Sequence, residues 1–456
     1  MLDPRQVNQV LDFCLRVGEL LLASGAGAAD VTATMQSVAQ HLGLRSAHLD
    51  LDVTFTALSL THQADPEEQP VTATRTVKQR TVDYEHLTRV DHLVREVLAD
   101  RIELKEARAS LARIVSSGHI RARWRVTIAW GAMCGGVAIQ LGGDVFVVLT
   151  ACVAAMLIDR LQQRMSRARL PFFYQQIAGG ALATVVGVGV ALAPGDIDIS
   201  LVITANIVML LAGIGFMGAL QDALSGFYVT AGARLTEAIL ATAGIIGGVS
   251  GGLAVADMVG VDIPPIDPGR GSLQTFGMLV VGAALCAAAF AYASYAPGRI
   301  IAPIAGVAAV AIAISQSIVL PGIGRTWAVA LAALFVGLVA YSVAGRMRVP
   351  PLVVVVSAVV PMLPGLSIYR GLTLMAEGQA GDTSAGLLAM VTAASVAIAL
   401  SAGVILGEYV AQPLKREARR LETRLAGPRL VGPLKVKTPR SERTSRRRSS
   451  SLGAPD

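Results

Sequence analysis

Arg234 and Glu237 stand three residues apart in Gly232-Ala233-Arg234-Leu235-Thr236-Glu237-Ala238. At the head of an apolar stretch, that spacing puts a cation and a carboxylate on one helix face. Asp222 lies just upstream, and Glu408 ends the apolar run Ala402-Gly403-Val404-Ile405-Leu406-Gly407-Glu408. Ionisable groups in lipid are costly and mark cavities, proton relays or paired charges. The chemistry they suggest is proton transfer within the membrane. Glu237 first, then Asp222 or Glu408, would carry protons once desolvation has raised their pKa. The bland alternative is an Arg234–Glu237 pair at the membrane interface, with Glu408 as a helix-end charge. Asn206, with Thr204 before it, sits in the middle of another apolar run and suits a polar substrate group. Gln316, also in an apolar run, reads as glue between helices.

The six histidines (His41, His48, His62, His86, His92 and His119) all fall outside the apolar region. Proton transfer there must use carboxylates, and the same absence argues against a Ser–His hydrolase within the membrane. No HExxH or other ligand spacing occurs among them, so no metal site is predicted. Cys14, Cys134, Cys152 and Cys286 are scattered and suit packing rather than a disulfide framework. No Walker loop or dinucleotide fingerprint is present. No cofactor is expected, and an ion gradient must supply the energy of transport.

Two breaks position these groups. Pro364-Gly365-Leu366-Ser367-Ile368-Tyr369-Arg370-Gly371-Leu372 interrupts an apolar stretch, and Ala212-Gly213-Ile214-Gly215-Phe216-Met217-Gly218-Ala219-Leu220 is a weaker copy 152 residues earlier. The same offset relates Gly226 to Gly378. Broken apolar segments at corresponding places in two halves point to a transporter binding site. Gly365, Ser367 and Tyr369 are therefore added to Asn206 and Arg234 as substrate-binding candidates.

The elements follow from composition. The 456 residues are 53% hydrophobic and 16% charged, with mean hydropathy +0.58, against about 25% charged for a soluble domain. Pro171–Gly195, Gly271–Gly298 and Ile300–Gly324 carry no Asp, Glu, Lys or Arg, and about 20 apolar residues span a bilayer as a helix. The spacing predicts ten membrane segments: 126–142, a short 144–158, 176–193, 199–220, 235–256, 274–296, 300–320, 326–344, 350–369 and 385–411. Before them, 1–120 reads as a small cytoplasmic α+β domain, with helices at 3–22, 28–42, 84–99 and 103–116 around three strands. Asp3, Arg5, Asp12, Arg16 and Glu19 break any signal-peptide core.

Arginines 121, 123 and 125, then 160, 164, 167 and 169, then 346 and 348 fall on one side if both termini are cytoplasmic. The +7 net charge reports this orientation, with no nucleic-acid partner implied. Ten segments make two five-helix units, 121–256 and 274–412, and an odd number inverts the second. The fold class is thus a membrane all-α bundle of two inverted repeats, with an external loop at 257–273. A basic tail at 413–456 is expected to be disordered.

Several stretches carry a family resemblance. Leu21-Leu22-Ala23-Ser24-Gly25-Ala26-Gly27-Ala28-Ala29-Asp30-Val31 resembles the LLxSGAGxxxVE opening of the bacterial threonine/serine exporter family, with Thr32 in place of the usual acidic residue. Gly226–Ala238 resembles its SGxxxxGxARLxEA segment. Pro364–Leu372 and Ala402–Glu408 resemble its C-terminal half. The likeness covers about 1–412, in the single-chain arrangement with both halves joined. It departs at Ala212-Gly213, where the family often has Pro-Gly, which favours a continuous fourth segment.

The resemblance implies export of L-threonine and L-serine across the bacterial inner membrane, driven by the proton motive force. Its partners are the amino acid, protons and lipid; a homo-oligomer is compatible with it. It implies a transporter and not an enzyme, although a hydrolytic role has been suspected for the family's soluble domain. The alternatives are a carrier of another small polar metabolite such as a dicarboxylate, or a membrane protein whose N-terminal domain is a hydrolase or sensor. A dicarboxylate would require two cations, and Arg234 and Arg370 fall on opposite sides in this topology.

Overall fold

The computed structural model describes residues 3–44, 49–63, 65, 67–77, 80–191, 198–210, 213–259, 273–319, 324–364, 367, 371, 374 and 380–425. Its amino-terminal layer, hereafter the cap, holds helices α1 (Pro4–Ala23) and α2 (Ala28–His41), strands β1 (Leu49–Val53), β2 (Ala57–His62) and β3 (Val71–Thr76), and helices α3 (Tyr84–Leu98) and α4 (Leu104–Ser116). The strands form an antiparallel meander in the order β1-β2-β3, with Leu49 opposite His62 and Ala57 opposite Thr76. β2 alternates, burying Leu58 and Leu60 towards α1. α1 begins with a capping box from Asp3 and Gln6 and buries Val7, Val10, Leu11, Cys14 and Leu15 at helical spacing. Each predicted cap element is present, with β3 ending earlier than its alternation suggested.

A helical bundle follows: α5 (Arg123–Gln140), α6 (Val145–Arg167), α7 (Phe172–Ala191), α8 (Ile199–Leu210), α9 (Gly213–Leu224), α10 (Tyr228–Val259), α11 (Leu273–Ala293), α12 (Gly298–Val319), α13 (Arg325–Met347), α14 (Pro351–Val359) with a 3₁₀ turn at Val360–Met362, and α15 (Ala380–Leu425). Among the described residues, seven helices are long and apolar enough to cross a membrane, or eight if the bent pair α8–α9 is one span. The ten predicted segments map onto these eight plus α5 and α14. α5 starts on Arg123 and Arg125, and α14 with its 3₁₀ turn covers only Pro351–Met362. On α6, Phe146, Leu149, Val153 and Leu157 form an exposed apolar stripe, as a lipid-facing surface requires.

Three expectations change. The second segment makes a longer helix than its apolar run: α6 is 23 residues long because Asp144 caps it and the helix continues past Ile158 through Asp159 and Arg160 to a basic last turn. The fourth is not continuous: α8 and α9 meet at 44°. The tail from 413 does not begin as coil, because α15 continues to Leu425 through Ala418, Leu421 and Leu425, which are good helix formers. Most of the 257–273 loop, and residues 426–456, lie outside the described residues.

Within the bundle α5 packs on α6, α6 on α7, and α7 on α8 and α10. α8 also meets α5 and α6. α11 packs on α12, α12 on α13, and α13 on α14 and α15, while α14 also meets α11 and α12. α5 against α11 joins the two sets, and Gly136 and Gly282 let their backbones approach.

Candidate functional site

The turn Ser24-Gly25-Ala26-Gly27 must reverse the chain between α1 and α2. Gly25 adopts φ +101°, and Ala26 N–H donates to Leu21 O (3.0 Å), the hydrogen-bond pattern of a Schellman turn. Gly27 then occupies the N-cap of α2 without a side chain to cap it. The missing acceptor comes from 194 residues away. Asp222 Oδ1, on α9, accepts from Ala28 N–H at 3.0 Å. Asp222 Oδ2 pairs with Arg234 Nη1 (3.1 Å), and Arg234 Nη2 donates to Ala26 O (3.1 Å). Asp222 is 2% and Arg234 12% exposed. The α9–α10 turn that aims both residues is itself a Schellman turn, with Gly226 at φ +90° and Phe227 N–H donating to Asp222 O (2.8 Å). Two sequence-predicted site residues thus meet, and they clamp the cap to the bundle.

Arg80 lies beside this clamp. Its guanidinium sits 3.8 Å from the centre of the Phe55 ring, and Nη1 and Nη2 are buried without a hydrogen-bond partner among the described residues. Burial and the charge of Arg234 bring its pKa down to about 10, against the opposing pull of Glu237 and Asp222. Glu237 is exposed and, among the described residues, forms no ion pair with Arg234; the anticipated Arg234–Glu237 pair is replaced by Arg234–Asp222.

A cavity of about 360 Å³ lies between cap and bundle. Asp30, Ala33, Thr34 and Ser37 reach it from one face of α2, and Asp91 and Arg95 from α3. Glu408, on α15, lies on the opposite wall with Tyr341 and the turn Pro350-Pro351. Asp30 keeps an exposed face, but the protein crowded around it raises its carboxyl above the ordinary value, and the negative charge of Asp222 adds to this. Gly337 sets the depth of Glu408. A Cβ there would overlap Val404 O and come within 3.0 Å of Gly407 Cα and 3.1 Å of Glu408 N.

Asn206 lies elsewhere, fully buried in α8. Its Nδ2 donates to Val202 O (2.8 Å), while among the described residues Oδ1 and the buried Thr204 Oγ1 have no partner; Ser357 Oγ, on α14, is buried beside the Tyr84 hydroxyl of the cap. Ser367 is half-buried; Gly365, Tyr369, Arg370 and Gly378 lie outside the described residues.

A third constellation went unseen in the sequence. Asp83 Oδ2 takes His86 Nδ1 (2.6 Å) and His119 Nε2 (2.7 Å), while Oδ1 caps α3 through Glu85 and His86 N–H. His119 stacks on Tyr295 in the α11–α12 turn (3.9 Å), and Tyr84 N–H donates to Ser294 O (2.9 Å). The three side chains offer atoms within 4.8 Å of one another, the grouping a divalent ion would need. Those atoms already satisfy each other, so the arrangement is a hydrogen-bonded latch between cap and bundle. Burial works against ionisation of Asp83, but its histidine hydrogen bonds win and hold its pKa at about 2. The bond to Asp83 raises His86. Spacing alone could not reveal this cluster, because the linker that carries His119 is brought to Asp83 only by packing.

The comparisons with known proteins agree along nearly the whole chain. A family model described as "Putative threonine/serine exporter" matches residues 12–256, and one described as "Threonine/Serine exporter, ThrE" matches 279–410. The chain is 35% identical to a "Probable threonine/serine exporter" of Mycobacterium tuberculosis (strain ATCC 25618 / H37Rv) over 94% of its own length and 81% of the relative's. It is 32% identical to a "Threonine/serine exporter" of Corynebacterium glutamicum, over 91% and 85%. No solved structure matches it.

Proposed function

The chain belongs to the threonine/serine exporter family, and from that premise we propose that it exports L-threonine and L-serine by alternating access, driven by the proton motive force. Both termini are cytoplasmic in this reading, and the cap covers the inner face. The bundle is two inverted units of five membrane segments, with α8–α9 as one segment and α5 and α14 counted as segments one and nine.

The observation that carries this reading is the repetition of contacts. Pairings of first with second, second with third, third with fourth, third with fifth, and fourth with first and second occur in both units. The third–fifth interface recurs residue by residue. In the first unit, Gly180 packs on Ile245 and Val249, Gly244 on Phe173, and Gly248 on Ile177 and Ala181. In the second, Gly337 packs on Val404 and Glu408, Gly403 on Ala330, and Gly407 on Leu334 and Leu338. The offset is 157 residues on the third helix and 159 on the fifth. The units therefore differ by small insertions from the 152 seen at the breaks. A five-segment repeat must invert, and inverted repeats place the site at their broken helices.

The broken segment α8–α9 holds Asn206 and Thr204, whose Oδ1 and Oγ1 have no partner among the described residues. A substrate hydroxyl or ammonium would satisfy them, with Ser367, Tyr369 and the Gly365 break completing the site. Glu408 is the best-placed proton carrier, because it alone of the three carboxylate candidates lines the cavity; Glu237 and Asp222 remain the alternatives. Arg234, held by Asp222 and Ala26, would reach a carboxylate only after the clamp opens.

Inside-out vesicles containing the chain should accumulate labelled L-threonine when the lumen is acidified, and a protonophore should abolish the gain. Uptake insensitive to the gradient would refute proton drive; no uptake would refute export.

A further inference from the structure

The cavity between cap and bundle has a charge pattern that its bland reading as a packing gap does not explain. Among the described residues Arg95 is its one cation, and it is already neutralised: Nε and Nη2 donate to Asp91 at 2.8 and 3.3 Å. Asp30 and Glu408 face the same space, and among the described residues neither has an ion-pair partner. Thr34 and Ser37 spend their hydroxyl protons on Asp30 O and Ala33 O, both at 2.7 Å, which leaves their oxygens as acceptors. The lining is thus rich in acceptors and carries excess negative charge. Like carboxylates lining one half-open cleft are unfavourable unless a proton or cation joins them. A volume of about 360 Å³ falls within the roughly 300–1,000 Å³ of small-molecule sites.

We propose that this cavity is the cytoplasmic entry site of the carrier and that it recognises the primary ammonium group of its substrate, with Asp30 from the cap and Glu408 from the bundle as the two carboxylates. The ligand class is a short primary ammonium compound bearing a hydroxyl. This rests on the export reading above and extends it: the cap supplies half of a binding site. α2 is well shaped for the task. Its opposite face buries Val31, Met35 and Val38, and its start is fixed by Asp222, so Asp30 is held one turn from an anchored helix end.

The test uses two probes on the purified full-length chain. Ethanolamine keeps the ammonium and hydroxyl but has no carboxylate, and N-acetyl-L-serine has lost the ammonium. Ethanolamine should raise the melting temperature of the wild type and should compete with labelled L-threonine in vesicles, while N-acetyl-L-serine should do neither. Asp30→Asn should abolish the ethanolamine shift and raise the half-saturation for threonine at least tenfold, and Asp30→Glu should restore part of both. Stabilisation by N-acetyl-L-serine equal to that by ethanolamine would overturn the proposal, as would an Asp30→Asn protein that keeps the wild-type shift. If Asp30→Asn fails to fold, the wild-type probe pair still decides. An ethanolamine shift in a protein that moves no threonine would uphold the cavity and refute only the export reading.

Discussion

Asp222→Ala should loosen the cap from the bundle more than any other single change at their junction. The substitution takes the acceptor from Ala28 N–H and leaves Arg234, only 12% exposed, with its charge unopposed. Breaking one side of a buried pair costs about 3–5 kcal/mol. Every 1.4 kcal/mol is tenfold, so the open fraction at the start of α2 should rise by a factor between about 10² and about 4 × 10³. Asp222→Asn keeps an acceptor for Ala28 and loses only the charge, and should cost about 1.5–3 kcal/mol. Arg234→Ala leaves Asp222 its bond to Ala28. The double change to alanine should therefore cost less than the two single ones together, by about 0.5–3 kcal/mol. The assay is hydrogen exchange of the Ala28 amide in the solubilised chain, because this N–H is the bond at issue. Unchanged exchange in Asp222→Ala, or strict additivity in the double variant, would refute the clamp.

Gly337→Ala should cost about 1–3 kcal/mol through overpacking and reduce transport, because the new methyl would push α15 and Glu408 outwards, whereas Gly306→Ala, with open space around it, should be neutral; melting and uptake of both variants check this. The latch has a pH window. Asp83, with its folded pKa held at about 2, contributes above its unfolded value of about 3.9 and loses that contribution as pH falls through 2. His86, raised when folded, contributes fully below its unfolded value of about 6.5 and loses it as pH rises through the folded value. Cap protection measured by exchange at Tyr84 should thus be greatest between about pH 4 and 6.5 and decline above it, and His86→Gln should flatten the upper limb. Asn206→Leu should insert normally and lose threonine uptake, since it removes an unpaired buried amide without exposing charge; retained uptake would free Asn206 from any substrate role.

Much of this protein can be read along the chain. Uncharged apolar runs allow only helices in lipid, because every backbone group must be satisfied within its own segment; the alternation at 57–62 and the helical spacing in α1 are equally local. The bend between α8 and α9 shows at Gly213 because glycine changes local backbone behaviour. Partnership is different. Nothing at Gly27 announces that its cap is Asp222, that Arg234 would choose Asp222 over Glu237 three residues away, or that His119 would close on Asp83. Those pairs depend on which helix ends meet once the bundle has packed, and packing is decided by glycine contacts such as Gly337 with Gly407. Residue order therefore determined the helices, the strands and the membrane class. Only the tertiary structure decided that Asp30 and Glu408, 378 residues apart, share one cavity, because burial and charge act through space while periodicity acts only along the chain.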